Sequence, residues 1–179
     1  MADEIHIVPY DYRWPVLFEQ EEAWLRNTLP ANLILAIEHF GSTAIPGMEA
    51  KPVIDVLLAV PSLEEARGHI KLIEGLDYAF WADNPKTDRL FFVKGLPPAP
   101  ARTHHLHITE PEGELWNRLA FRDYLRVRLA DADRYVALKR ELAARYPNDR
   151  EAYTAGKEDF VREIMQKADD EGFVSPILR

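Results

Sequence analysis

Between Ile37 and Val60 the chain reads IEHFGSTAIPGMEAKPVIDVLLAV, two apolar runs separated by a Gly-Ser pair and a Pro-Gly loop. Strand, turn, loop, strand is the order that fits this pattern, and the remainder of the chain reads as its support. The second run, Pro52 to Val60, is almost continuously apolar, as expected of a strand buried on both faces. Asp55 interrupts it. A carboxylate inside such a strand must be satisfied by hydrogen bonds or bound to something, because desolvating it alone is costly. Gly41 and Gly47 can take backbone angles closed to other residues, so N–H groups around Ser42 can approach an anion closely, and a phosphate suits the place. The alternative is an ordinary tight connection with Asp55 tied to a backbone amide.

In chain order, Val8 to Tyr12 is an extended lead-in, and Pro15 can open a helix at its first turn, where its missing donor costs nothing. Leu17, Phe18, Trp24 and Leu25 recur at helical spacing, giving an amphipathic helix that ends near Pro30. Leu33 to Phe40 is the first strand and Pro52 to Val60 the second. Ser62 and Glu65 have capping-box spacing ahead of a helix that stops by Gly75. Leu76 to Trp81 and Arg89 to Lys94 form a hairpin-like pair across a polar turn, Lys94 leaving it polar. Gly95 to Ala101 is a Pro-rich loop, and Arg102 to Glu110, RTHHLHITE, is the last strand. From there the texture is helical: Leu115 to Leu129, Ala132 to Tyr146 behind Asp131 as cap, and Arg150 to about Glu171. Gly172 to Arg179 is expected to fray or lie on the surface.

A chain of 179 residues that is 47% hydrophobic can bury a sizeable core and is expected to form one domain, 1–179. Its formal net charge of −8 counts against gripping long nucleic acid, which needs a broad basic surface. With no cysteine, disulfides, Cys-ligated zinc and iron–sulfur clusters are excluded. The opening MADEIHIVPYDYRW has acids where a secretory signal carries bases, and no segment is long and apolar enough to span a bilayer. A cytoplasmic, soluble protein without a membrane partner is expected.

The second polar cluster is His104, His105 and His107. On a strand His105 and His107 share a face and His104 takes the other. With Asp55, His105 and His107 make a conceivable two-His-one-carboxylate metal site; a hydrogen-bonded or surface role, or contact with phosphate and proton transfer, are the competing readings. The helical half contributes Arg122, Arg126, Lys139, Arg140, Tyr153 and Lys157, with Arg122 and Arg126, and likewise Tyr153 and Lys157, four apart and able to reach one ligand. Long basic side chains are equally ordinary on solvated helix faces.

The segments HFGSTAIPGMEAKPVIDVLLAV, RTHHLHI, AFRDYLR, ALKRELAARYPNDREAYTAGKEDFV and YDYRWPVLFEQE strongly resemble the GrpB family of bacterial proteins over nearly the whole chain. That resemblance implies the nucleotidyltransferase superfamily, an α/β (α+β) fold with a mixed sheet, flanking helices and a helical C-terminal portion, and a relation to domains fused to dephospho-coenzyme A kinase. In the superfamily pattern a Gly-Ser turn precedes a strand with acids at alternate positions, and a later strand brings a third acid. Gly41 and Ser42 match the turn and Asp55 the first acid. Leu57 stands at the second, and His105 and His107 stand where the third is expected. The resemblance thus implies a pocket of Gly41, Ser42, Lys51, Asp55 and His105, with helical residues Arg122, Lys139, Tyr153 and Lys157, serving a nucleotide or other phosphate-bearing ligand. One outcome is nucleotidyl transfer with Mg²⁺ or another divalent ion held at Asp55, His105 and His107. The other is a binding module for such a ligand or a protein partner, connected to coenzyme A metabolism.

Overall fold

The computed structural model describes residues 4–99, 101–111 and 113–175. Strand β1 (Ala36–Phe40) enters the Gly-Ser turn, a 3₁₀ turn at Ser42–Ala44 follows, and β2 (Ile54–Ala59) returns antiparallel to β1 with Phe40 opposite Asp55. Strands β3 (Tyr78–Phe80) and β4 (Leu90–Lys94) form the antiparallel pair expected from their turn chemistry. Strand β5 (His104–Thr109) then inserts between β4 and β2, parallel to β2, which makes a mixed five-stranded sheet of order β1-β2-β5-β4-β3. This register sets Asp55 opposite His105 and Leu57 opposite His107. Because side chains alternate along a strand, all of these project from one face.

The opposite face carries the larger apolar core. Helix α1 (Trp14–Thr28) starts with Pro15 in its first turn and, with α2 (Leu63–Arg67) and α3 (Ile70–Glu74), covers it. Leu25, Leu29 and Leu33 pack on Ile54, Val56, Leu58, Leu106 and Phe92, and each such burial is worth roughly 1.5–3 kcal/mol before the entropy of ordering is counted. Lys94 turns inward there instead of leaving the hairpin polar: its Nζ lies 2.8 Å from both carboxylate oxygens of Glu21, whose side chain is 0% exposed.

The face bearing Asp55 lies under the C-terminal helices α4 (Glu114–Asn117), α5 (Leu119–Val127), α6 (Leu129–Arg145), α7 (Arg150–Ala155) and α8 (Glu158–Asp170). Leu57 and Ala59 pack against Leu115, Trp116 and Leu119. Ile45 and Met48, from the loop after Gly41, enter a second cluster with Tyr124, Leu125, Tyr135 and Ile164. The loop is thereby pinned between sheet and helices.

Several boundaries differ from expectation. Ala31–Leu33 is a 3₁₀ turn and the first strand begins only at Ala36. The helix expected from Ser62 to Gly75 is two short ones. Ser62 does cap the first, accepting from Glu65 N at 3.4 Å, but Gly68 and His69 bond three residues back and break the α-helical ladder. The helix expected from Leu115 is broken at Arg118, and α6 starts at Leu129, so Asp131 lies inside its first turn and caps nothing. Asp131 instead accepts the Tyr124 hydroxyl and pairs with Arg134 and Lys167. The last expected helix bends at Gly156, where a side chain would run into Leu142 of α6. In the tail expected to fray, Ser175 bonds the carbonyls of Trp116 and Asn117, and Phe173 packs on Tyr124; residues 176–179 lie outside the described residues, as do Pro100 and the first residues of the N-terminal segment. No described helix is long and apolar enough to cross a membrane.

Candidate functional site

Asp55 is the polar break in a strand otherwise sealed on both sides, Val56 to Val60 being 0% exposed. Its side chain keeps 26% of its surface in reach of solvent, so it is not sealed in the core. Gly41 makes that geometry possible. With φ 71° and ψ −170° it occupies backbone space essentially reserved for glycine, and a Cβ there would fall on Asp55 Oδ2. The turn is packed directly against the carboxylate.

Asp55 Oδ1 lies 3.0 Å from His105 Nδ1. An ionised carboxylate only accepts, so in this bond Nδ1 is the donor. Burial pushes the Asp55 pKa up, but the His105 hydrogen bond, with the charge of Lys51, outweighs it and holds the net value below the ordinary one. His107, one pleat further on, packs against Phe91 and Phe40, and burial pushes its pKa down to about 3, so the ring is neutral at neutral pH. Both His105 Nε2 and His107 Nδ1 are buried without a hydrogen-bond partner among the described residues. Asp55, His105 and His107 can each present a ligand atom with all of these within 4.8 Å of one another. A metal ion fits this donor set.

The cations converge from the loop and the helices. Lys51 and Lys157 both stack over the Tyr153 ring, at 5.0 and 4.5 Å, and the carboxylate both feel is Asp55. Lys139 lies 4.8 Å over Tyr135 and donates to the Glu49 carbonyl. Burial pushes Lys139 and Lys157 down to about 7, helped at both by Lys51 and at Lys139 also by Lys157, and lowers Lys51 as well. Burial raises the phenols too, Tyr135 to about 12 even though the neighbouring Ser42 hydroxyl works against it. Arg118 acts on His107, Tyr135 and Lys157, and Arg102 and Arg150 on Lys51. Among these groups the cations outnumber the carboxylates, Asp55 beside Lys51 and Lys157 and Glu49 beside Lys139.

The expected residues Gly41, Ser42, Lys51, Asp55, His105, His107, Lys139, Tyr153 and Lys157 thus gather in one neighbourhood. Tyr153 and Lys157 meet across the bend between α7 and α8, not on one helical face as their spacing suggested. Arg122 is engaged elsewhere: it bonds Glu38, Asp123 and the His39 carbonyl, tying α5 to the edge strand. Its partner Arg126 holds the Ala44 carbonyl, and Arg140 the Glu49 carboxylate. Tyr135 and Arg118 were missed by sequence reasoning. Tyr135 reads as one member of an apolar stripe, and its ring is indeed stacked on Phe160 at 5.1 Å; nothing in the spacing shows that its hydroxyl reaches Ser42. Arg118 has no sequence signal at all. Two open concavities, of about 390 Å³ beside Tyr10 and Trp14 and about 440 Å³ beside His6 and Arg140, lie apart from Asp55 and carry none of these orphaned donors.

A family model described as GrpB protein matches residues 4–167. The chain belongs to the GrpB family. Among its relatives, a UPF0157 protein of Pseudomonas aeruginosa is 47% identical over 167 residues, covering 93% of this chain and 68% of that protein. The crystal structure of the conserved protein GrpB from Enterococcus faecalis superposes with a TM-score of 0.83 at 33% identity, covering 93% of this chain and 98% of that one. A dephospho-CoA kinase of Mycolicibacterium paratuberculosis is 30% identical over 192 residues, 93% of this chain but only 46% of that protein. Within this GrpB chain, Leu57 projects on the same face as Asp55 and is sealed beneath Trp116. The position where a nucleotidyltransferase-like pattern calls for a second acid is part of the apolar core.

Proposed function

We propose that this GrpB chain binds a phosphate-bearing small molecule, of the nucleotide or phosphorylated-coenzyme class, in the cleft between Asp55 and the C-terminal helices. The observation that carries this reading is the convergence of Lys51 and Lys157 over the Tyr153 ring, both acted on by Asp55, with Lys139 over Tyr135 and acted on by Lys51 and Lys157. Burying ammonium groups without counter-charge is unfavourable, and their lowered pKa values express that cost. A polyanion would relieve it, and the Ser42 and Tyr153 hydroxyls supply neutral donors beside it. Coenzyme A precursors belong on the list of ligands because one relative is a dephospho-CoA kinase. We place the protein in the cytoplasm, with such ligands.

Nucleotidyl transfer is the second reading, favoured by the Gly41-Ser42 turn packed against Asp55 as a nucleotidyltransferase-like fold would have it. Against it, two-metal phosphoryl transfer needs carboxylates to hold both ions, and Leu57 supplies none. Binding therefore ranks first. Calorimetric titration with ATP, dephospho-coenzyme A and inorganic pyrophosphate, each with and without Mg²⁺, tests both. Metal-independent binding that weakens at least tenfold in Lys157→Met supports the binding reading; the absence of binding by any of these compounds overturns it. Release of pyrophosphate from ATP only in the presence of a divalent ion would move transfer to first place.

A further inference from the structure

The donor set at Asp55 is mismatched to the Mg²⁺ that phosphoryl transfer ordinarily uses. Mg²⁺ demands near-octahedral oxygen coordination and keeps its waters, whereas imidazole nitrogen suits Zn²⁺, Co²⁺ or Fe²⁺. From the geometry we infer that Asp55, His105 and His107 form a site for one first-row transition-metal dication, with open coordination positions facing the cleft.

Several independent features converge on this. The potential ligand atoms lie within 4.8 Å of one another, close enough to share one ion after small rotations. The alternation of β5 and its parallel register with β2 hold both imidazoles on the carboxylate's side of the sheet, so the set is assembled by backbone pairing and not by a flexible loop. His107 Nδ1 is buried and has no hydrogen-bond partner among the described residues. An unsatisfied buried lone pair is expensive, and native structures seldom leave one without a reason. A bound cation is a reason, and at His105 the nitrogen that faces the carboxylate is Nδ1, so an ion shared with Asp55 would take the place of that hydrogen bond. Leu57 closes the alternative: a second carboxylate two residues after Asp55 would have made the site harder and suited to Mg²⁺, but that position is apolar and sealed.

The neighbouring lysines oppose a dication. They are expected to make the metal bind more tightly when an anion shares the cleft, an extension that rests on the phosphate reading. The metal site itself does not, and the decisive experiment contains no phosphate compound.

Tag-free protein, stripped with a chelator and dialysed, is titrated with Co²⁺ alone while the visible d–d absorption is followed, then challenged with Zn²⁺ and separately with Mg²⁺. The expected result is saturation at one equivalent, displacement by stoichiometric Zn²⁺, and no displacement by a hundredfold excess of Mg²⁺. His107→Gln and Asp55→Asn should each weaken Co²⁺ binding by at least the roughly 10–100-fold typical of disturbing a ligand's support, while His104→Gln, on the opposite face, should leave it unchanged. Absence of Co²⁺ binding, displacement by Mg²⁺, or unchanged affinity in both ligand variants overturns the inference. Should a ligand variant fail to fold, wild-type protein decides: Co²⁺ must shift the ring resonances of His105 and His107 before those of His6, His69 and His104, and the reverse order overturns the site. Afterwards, pyrophosphate is added: tighter Co²⁺ binding supports the shared cleft, and its absence counts against the phosphate reading while leaving the metal site standing.

Discussion

Replacing Gly41 by alanine should expose how tightly the Gly-Ser turn and Asp55 depend on each other. Two costs are separable. The backbone at φ 71°, ψ −170° lies in a region essentially closed to other residues, worth about 1–3 kcal/mol for one strained residue. The added methyl would also fall on Asp55 Oδ2 and lie 3.1 Å from both Cβ and Cγ of Asp55, so the carboxylate has to move. Moving it breaks the 3.0 Å bond to His105, and hydrogen bonds to charged groups are worth roughly 1.5–3 kcal/mol. Together Gly41→Ala should cost about 2.5–6 kcal/mol, a large share of the 5–15 kcal/mol typical of a domain. Urea midpoints at constant m-value, measured for wild type, Gly41→Ala, Asp55→Ala and the double variant, separate the terms. In the Asp55→Ala background Oδ2 and Cγ are gone, so only the backbone cost and the residual Cβ contact remain, and a coupling of about 1–3 kcal/mol is expected. A loss below about 1 kcal/mol for Gly41→Ala, or the same loss in both backgrounds, would refute the claim that the turn is built around the carboxylate.

Further outcomes follow from groups away from that contact. His39 stacks on Phe18, donates to Thr43 and is pushed down to about 4 by burial, with Arg122, Arg126 and His104 opposing and Asp55 favouring its charge. Between the unfolded value near 6.5 and about 4 the unfolded chain takes up a proton that the folded one refuses, so stability falls as pH drops through that window; His39→Gln should lose about 2–3 kcal/mol less than wild type between pH 7.5 and 4.5, and parallel losses would contradict this. Glu21→Ala strands the buried Lys94 ammonium and should cost about 3–5 kcal/mol by denaturant unfolding, whereas Glu21→Leu combined with Lys94→Met should recover most of it; equal losses would show that the pair's charges do not matter. If an anion binds beside Lys139 and Lys157, both held near 7, their pKa values rise on binding, so calorimetry at pH 8 in buffers of different ionisation enthalpy should show net proton uptake and affinity should fall as pH rises from 6.5 to 9. Zero uptake would separate these lysines from the ligand.

The sheet was largely legible because its signals are local and strong. An apolar run broken by one acid, two glycines at a turn, and an Asn-Pro-containing loop between apolar segments each have one economical backbone solution. What the sequence did not carry was the order of the strands: β5 lies between β2 and β4, and only that insertion sets His105 beside Asp55. Two of the helix boundaries failed where a small residue let the chain bend without interrupting the apolar rhythm. Gly68 and Gly156 sit inside runs whose hydrophobic spacing continues past them, so periodicity reads through a break that the backbone makes.

Side-chain commitments were harder still, because a charge does not announce its partner. Arg122 and Lys139 look alike as basic residues on amphipathic helices. One spends its donors on Glu38, Asp123 and a strand carbonyl, while the other is buried at 2% exposure against Tyr135 with its pKa depressed. That difference arises from packing many residues apart, and it separates a cation that ties helix to strand from one held beside Lys51 and Lys157. The same reasoning applies to Leu57. Read alone it is one more strand aliphatic; read opposite His107 and beneath Trp116 it removes the second carboxylate, leaves two imidazoles as the remaining metal donors beside Asp55, and thereby separates what this cleft can coordinate from what its family resemblance alone would suggest.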